Sequence, residues 1–556
     1  MYNILVGGAA GQGIDTTAAN LEKLLKKAGY YVFTVRDFMS RVRGGHNFSI
    51  IRFSNEPIYS HSAILNGIIA LDDDTVEIHK DKLKEDGFIL CDTKLKTEDT
   101  KAIKLNMDNM AKELGNPKVS GSIAIGAVLK LFGIGLDHVD ETMKHLVKEA
   151  YLEINLKAVR IGYDSVDTRY QALQGTCKDY LLLSGSKAVG LGAMAAGLKF
   201  YSAYPMSPST AVMEYIASRS VEAGVVVEQA EDEIAGINMA IGASFAGARA
   251  MTGTSGGGFC LKVEALGLSG IAEIPLVVID VQRPGPATGL PTRTEQSDLK
   301  FVISASQGEF PRMVIALRNH TDAFYQTIRA FDIAERYQIP VILLSDQYLG
   351  DSTATVEPYD LTGIKVAKPC QDEYKEGEYL RYKITDDGIS PRLIPGKTKN
   401  FVAADSDEHD ERGWIIESAE ERIAMMDKRM RKIDKLVEEL QEPEFVGEDG
   451  AETLLVGWGS TYGPIIEAVH TLNKVEPGKY AALLFGDVYP LPTKLLMEKS
   501  SKAKQLINVE QNATGQLGGL IREQTGLTFD YSILKYDGRQ ISGEEIVERI
   551  QKGGVK

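Results

Sequence analysis

Residues Glu231 to Phe259 read EDEIAGINMAIGASFAGARAMTGTSGGGF, and this stretch decides the fold. Three acids open a segment whose following residues are nearly all small and apolar. Acids favour a helix N-terminus, so capping is one reading of the cluster. A carboxylate at the buried end of such a helix can serve as an acid or a hydrogen-bond partner. A short strand-like segment then enters Thr252-Gly253-Thr254-Ser255-Gly256-Gly257-Gly258, a turn that lets backbone approach a ligand closely.

Further along lie two short, continuous apolar runs, Pro275 to Val281 and Ile339 to Ser345. Such runs are expected of parallel strands buried on both faces. An α/β unit over 181–368 follows. Arg283, in DVQRPGPATGLPT, sits just past the first of these strands, where α/β sheets place ligand-binding groups. A guanidinium there suits a carboxylate ligand; a structural salt bridge is the competing reading. Tyr204-Pro205-Met206-Ser207-Pro208-Ser209-Thr210 is a proline-fixed turn in which Pro208 and Ser209 prime a helix.

Residues 1–165 form another α/β region, opening with YNILV, a glycine turn, a helix from Ile14 to Ala28 and a second strand, YYVFTV. Strand, helix, strand with short turns predicts a parallel sheet. The turn Gly7-Gly8-Ala9-Ala10-Gly11-Gln12-Gly13 is either a structural bend or an anion site at a helix start. Its GxxGxG spacing, with no ribose-binding acid after the second strand, argues against a dinucleotide. Arg36, Arg41 and Arg43 beside Gly44 and Gly45 form an anion grip or a solvated turn.

A connector covers 166–180. Residues 369–448 are a polar insertion ending in a helix over Glu420–Leu440. Its apolar seam of Ile423, Met426, Met430, Ile433, Val437 and Leu440 predicts docking on this protein or on a partner subunit. A third α/β region, 449–556, opens with VGWGSTYGP.

The chain has 556 residues, a formal net charge of -15 and 44% hydrophobic residues. At ~150 residues per domain this allows three to four domains. The acidic balance argues against nucleic acid or an anionic membrane as the main partner. The four cysteines, Cys91, Cys177, Cys260 and Cys370, are far apart in sequence. That excludes a CxxC cluster or zinc motif and fits a reducing compartment. No export signal opens the chain, and no apolar run reaches the ~20 residues of a membrane span. Ile123 to Leu136, the most apolar candidate, is short and carries Lys130. The expected location is the cytoplasm. The eight histidines form no metal-binding pair, so no metal site is expected.

Together these motifs resemble the 2-oxoacid:ferredoxin oxidoreductases, in particular the fused gamma-alpha chain of the two-subunit 2-oxoglutarate type. GGAAGQG with SRVRGGHN looks like the gamma-type domain. YPMSPST is similar to the family's YPITPS motif. EDEIAGINMAIGASFAGARAMTGTSGGGF and DVQRPGPATGLPTRTEQSDL look like its thiamine-diphosphate pyrimidine-binding domain. VGWGSTYGP with VEQNATGQLGGLIRE is similar to its transketolase-C-terminal-like domain. The resemblance implies three α/β domains, at 1–165, 181–368 and 449–556.

It also implies a reaction: a 2-oxoacid and coenzyme A give acyl-CoA and CO2, with two electrons passed to ferredoxin. Thiamine diphosphate is the implied cofactor, with Tyr204, Pro205 and a carboxyl from Glu233 or Glu231 beside it. Only one of these glutamates can serve, because residues two apart on a helix face different sides. Glu233 is the position the family pattern indicates. Ser207 stands where the family has threonine and keeps the hydroxyl. Arg283 matches the arginine that binds the 2-oxoacid carboxylate. The gamma-type domain is the implied coenzyme A side, with Gly8, Gly11, Gly13, Arg41 and Arg43 as candidates.

The family's metal-binding GDG motif is broken here, at Gly486-Asp487-Val488. Mg2+ and a 4Fe-4S cluster are therefore expected on a separate beta subunit carrying GDG and the cluster cysteines, in a heterodimer or a dimer of heterodimers. The favoured substrate is 2-oxoglutarate; pyruvate and branched-chain 2-oxoacids are alternatives. A non-catalytic nucleotide-binding scaffold is the reading from another class, but it leaves YPMSPST, EDE and QRPGP unexplained.

Overall fold

The computed structural model describes residues 1–38, 45–366, 370–371, 373–375 and 377–553. They divide into two units. Met1–Ser184 with Asp351–Pro358 make the first; Gly185–Gly350 and the chain from Tyr359 onward make the second.

The first unit is built on eight strands. Their order is Ala102–Leu105, Leu83–Asp92, Leu65–Ala70, Tyr2–Ala9, His46–Ser54, Tyr31–Phe38, Thr353–Val356 and Leu181–Ser184. The sheet is mixed, which corrects the expectation of a parallel one. Tyr2–Ala9 is parallel to Leu65–Ala70 but antiparallel to His46–Ser54, which pairs antiparallel with Tyr31–Phe38. The third strand in sequence thus inserts between the first two, because a hairpin partner pairs before a crossover is needed. The last two strands of the row come from beyond residue 165.

The helix Ile14–Lys27 buries Ile14, Ala18, Leu21, Leu24 and Leu25. The apolar stretch weighed as a membrane span is the core helix Ser120–Leu131, packed on Leu152–Asp164. Among the described residues no helix is long and apolar enough to cross a membrane.

The second unit holds two sheets. Seven strands run in the order Asp487–Tyr489, Met313–Ala316, Pro340–Asp346, Leu276–Gln282, Ala250–Thr254, Phe200–Ala203 and Val226–Gln229. All neighbours are parallel except the Asp487–Tyr489 edge. Leu276–Gln282 and Pro340–Asp346 are buried at every position, as their unbroken apolar runs predict. The second sheet has the order Glu444–Val446, Tyr480–Phe485, Thr453–Trp458, Gln505–Glu510 and Tyr531–Leu534. Its VEQNATGQLGG segment is structural. Glu510 accepts hydrogen bonds from the Trp458 indole, the amides of Asn508 and Asn512, and the backbone of Leu517 and Gly518, all between 2.8 and 3.0 Å.

The polar insertion corrects a second expectation. Its helix breaks into Ala419–Met430 and Lys432–Glu438, and the buried residues are Met425, Lys428, Arg429, Lys432 and Leu436. Ile423 of the expected seam is 61% exposed. The reason is Glu273, fully buried, whose carboxylate binds Lys428 and Lys432 at 2.5 Å each. The two ammonium groups, with Arg381, hold Glu273 well below the usual carboxylate range against the opposing effect of its burial. Apolar periodicity cannot register a counter-charge that lies about 155 residues away in sequence.

Candidate active site

The helix Glu233–Phe245 starts beside the end of strand Ala250–Thr254, and the order of its three leading acids separates their roles. Asp232 is the N-cap, its carboxylate accepting the Ala235 backbone N–H at 2.8 Å. Glu231 is exposed. Glu233 enters the first helical turn and is 5% exposed. Its Oε1 is buried without a hydrogen-bond partner among the described residues. A buried carboxylate oxygen without a donor is costly and marks a place where a ligand atom completes the set.

The backbone around Glu233 is pinned. Lys262 Nζ donates to the Glu233 carbonyl and to Thr252 Oγ1, each at 3.0 Å. Burial pulls the Lys262 ammonium down to about 8, although Glu233 and Asp232 act to raise it. Gly258 lies directly against the carboxyl. A Cβ there would stand 2.6 Å from Glu233 Oε1 and 2.2 Å from Thr254 Oγ1, so only glycine leaves room for this side chain.

Tyr204 to Ser209 follow the strand Phe200–Ala203, and the helix Thr210–Ser218 begins where Pro208 and Ser209 predict it. Ser209 Oγ donates to the Met206 carbonyl at 3.0 Å, closing the turn. Thr254 Oγ1 reaches Met206 Sδ at 4.0 Å, which brings this turn to the glycine turn beside Glu233. Arg283 Nη1 donates to the Ser207 carbonyl at 2.6 Å. Two residues 76 positions apart in sequence, both singled out from motifs, thus meet. Arg283 is half-buried, and burial lowers its pKa while Asp298 and Asp280 raise it. Among the described residues it forms no ion pair, and Asp298 and Asp280 are the charges that act on it. The loop is steadied by Gln282, whose Nε2 donates to the Ser345 carbonyl at 3.0 Å and whose Oε1 accepts the Asp298 N–H at 3.1 Å.

Asp487 of the broken GDG pattern is a structural residue. It is buried, holds Arg329 at 2.6 and 2.8 Å, and accepts the Gln441 N–H at 2.7 Å.

The first unit carries a groove of about 1120 Å³ lined by Gly11, Gly13, Lys118, Lys148, Tyr151 and Asn155, among others. Gly11 and Gly13 both have left-handed backbone, and Gly13 caps the helix Ile14–Lys27. Gly8 is a strand residue paired with Asn47 and is not among the lining residues. Arg36 is structural, its guanidinium holding Glu22 at 2.9 and 3.0 Å. Arg41 and Arg43 lie outside the described residues. Sequence reasoning missed Lys118 and Lys148, because nothing links them to a glycine turn about a hundred residues earlier. It also passed over Asp280, which a lone acid inside the apolar run LVVIDVQ could have signalled.

A buried, donor-poor carboxyl beside a glycine turn, with a loop arginine held nearby, suits a thiamine-diphosphate-binding oxidoreductase domain. Comparison with known proteins carries this further. The family described as "Pyruvate flavodoxin/ferredoxin oxidoreductase, thiamine diP-bdg" matches residues 191–428, and "Pyruvate ferredoxin/flavodoxin oxidoreductase" matches residues 3–165. The 2-oxoacid:ferredoxin oxidoreductase subunit alpha of a Sulfolobus species is 32% identical over 99% of this chain and 96% of its own. The 2-oxoglutarate synthase subunit KorA of Methanocaldococcus jannaschii is 34% identical over 59% of this chain and 88% of its own. The 2-oxoglutarate:ferredoxin oxidoreductase of Magnetococcus marinus, solved with 2-oxoglutarate, coenzyme A and succinyl-CoA bound, aligns with TM-score 0.93 and 31% identity. That alignment covers 100% of this chain and 99% of the other. This chain belongs to the 2-oxoacid:ferredoxin oxidoreductases as an alpha subunit.

Proposed function

We propose that the chain carries one half of an active site that converts 2-oxoglutarate and coenzyme A to succinyl-CoA and CO2, passing two electrons to ferredoxin. The observation that carries this reading is the orphaned Glu233 Oε1 against Gly258, a carboxyl placed to meet a ring nitrogen. Thiamine diphosphate, when bound, supplies a nucleophilic carbon and an electron sink for decarboxylation. Glu233 holds the proton or hydrogen bond at Oε1 that its aminopyrimidine needs. Tyr204 and Pro205 line the same turn, Arg283 takes the substrate carboxylate, and the Ser207 hydroxyl contacts the substrate. Glu231, being exposed, is set aside. The choice of 2-oxoglutarate is supported by the ligands of the Magnetococcus marinus enzyme.

The other half is a beta subunit bearing the diphosphate-holding Mg2+ and an iron-sulfur cluster. Tyr204, Ile234, Met239, Leu261 and Leu290 are exposed apolar residues on the segments that build the site. Such surface suits a partner subunit. The groove of the first unit is the coenzyme A side, with Lys118 and Lys148 as phosphate-binding cations beside the Gly11–Gly13 turn.

The test is reconstitution. The full chain with thiamine diphosphate, Mg2+, 2-oxoacid, coenzyme A and a dye acceptor is expected to be inactive. With a co-purified partner it turns over, with kcat/KM highest for 2-oxoglutarate. Lys118→Ala with Lys148→Ala raises KM for coenzyme A and spares KM for the 2-oxoacid. Turnover by the chain alone, or a preference for pyruvate or a branched-chain 2-oxoacid, refutes the corresponding part.

A further inference from the structure

A second pair of acids lies behind Arg283. Asp280 lies within the buried strand Leu276–Gln282, and Asp298 precedes the helix Leu299–Ser304. Asp280 is 0% exposed. Neither of its oxygens meets a donor among the described residues, and Asp298 Oδ2 is buried in the same condition. Asp280 pairs with Thr254 across the sheet, just before Gly256, against which the Asp298 carboxyl lies, and the two acids act on each other. Gly256 leaves room for Asp298, since a Cβ there would stand 2.6 Å from its Oδ2 and 2.7 Å from its Oδ1.

Two acceptor-only carboxylates cannot satisfy each other, and like charges in one dry site do not both ionise. A single proton between them resolves both problems. The other charged or titratable groups around the pair are Arg283, the Cys260 thiol and Glu295. The Ser297 hydroxyl, next to Asp298 in the chain, donates to the Arg283 carbonyl at 3.3 Å. Burial, then Asp298, lift Asp280 well above its usual range, and burial lifts Asp298 to about 6.

We propose that Asp280 and Asp298 hold one proton between them and act as a positioning pair behind Arg283, which keeps the guanidinium charge available to the 2-oxoacid carboxylate. With one proton shared, the pair balances Arg283. When the proton is lost, the three groups carry a net negative charge and repel an anionic substrate. The inference rests on the reading of Arg283 as the carboxylate anchor.

Two measurements test it. In the infrared spectrum of the full chain, a protonated-carboxyl band is expected that fades as pH rises and is lost in Asp280→Asn. Its absence from the wild type overturns the shared proton, whatever the protein's activity. In the complete complex, KM for the 2-oxoacid rises by about tenfold as pH passes through that titration, while kcat changes less. Asp298→Asn, which cannot ionise, removes this rise and keeps the low-pH KM within about twofold. A rise that persists in Asp298→Asn overturns the role. An unchanged KM in Arg283→Ala refutes the anchor reading and leaves the infrared result standing. Should the asparagine chains fail to fold, coincidence of the wild-type infrared and KM transitions supports the proposal and their separation overturns it.

Discussion

Glu233 and Glu273 are both buried glutamates of the second unit, and they differ in what meets their oxygens. Glu273 has an ammonium group on each oxygen, from Lys428 and Lys432. Glu233 has one oxygen with no donor among the described residues. Burial alone therefore does not identify a functional acid. A fully partnered buried charge is a structural staple, here fastening the polar insertion to the seven-stranded half of the unit. A buried charge left short of partners is kept for something that arrives later.

The contrast is sharpest under substitution. Glu233→Gln is expected to cut turnover by about 10²–10⁴-fold while leaving the denaturant midpoint near wild type. Glu273→Gln should reverse the pattern. It leaves two buried lysines without a counter-charge and costs about 3–5 kcal/mol in equilibrium unfolding, with kcat of the folded fraction retained. If the two variants exchange these effects, the comparison fails.

Glu273 also predicts a pH signature. Its folded pKa lies below the ordinary 4.5. The unfolded chain therefore binds the proton first, and the contribution is complete above that value and is lost as pH falls beneath it. An unfolding series in acid should show a shallower loss in Glu273→Gln than in the wild type. The smallest expected effect is at Gly258. Gly258→Ala sets a methyl against Thr254 Oγ1 and Glu233 Oε1, costing about 1–3 kcal/mol of stability. It also weakens thiamine diphosphate binding, measurable by calorimetry on the complex. Unchanged affinity would separate Gly258 from the cofactor side of the comparison.

Legibility followed the range of the interactions. YPMSPST and DVQRPGP announce themselves because prolines and glycines shape a turn locally; the second follows a buried strand as expected, and a helix begins after Pro208 and Ser209 as expected. The two core strands of the seven-stranded sheet were readable because burial on both faces leaves an unbroken apolar run. Three features were not readable. The N-terminal sheet is mixed, since hydrophobicity is blind to strand direction. Lys428 and Lys432 look like a solvated helix face until Glu273 is placed behind them. Lys118 and Lys148 join the Gly11–Gly13 turn only through the fold.

The sequence by itself determined the kinds of groups available: three acids before a small-residue helix, an arginine after a buried strand, a glycine turn, and no paired cysteines. Tertiary structure decided which of them count. Among Glu231, Asp232 and Glu233 the composition is nearly uniform, but the helix begins at Glu233, with Asp232 as its N-cap and Glu231 outside it. Once Asp232 takes the cap, Glu231 faces solvent and Glu233 faces the core, where the lack of a donor makes its carboxyl chemically useful.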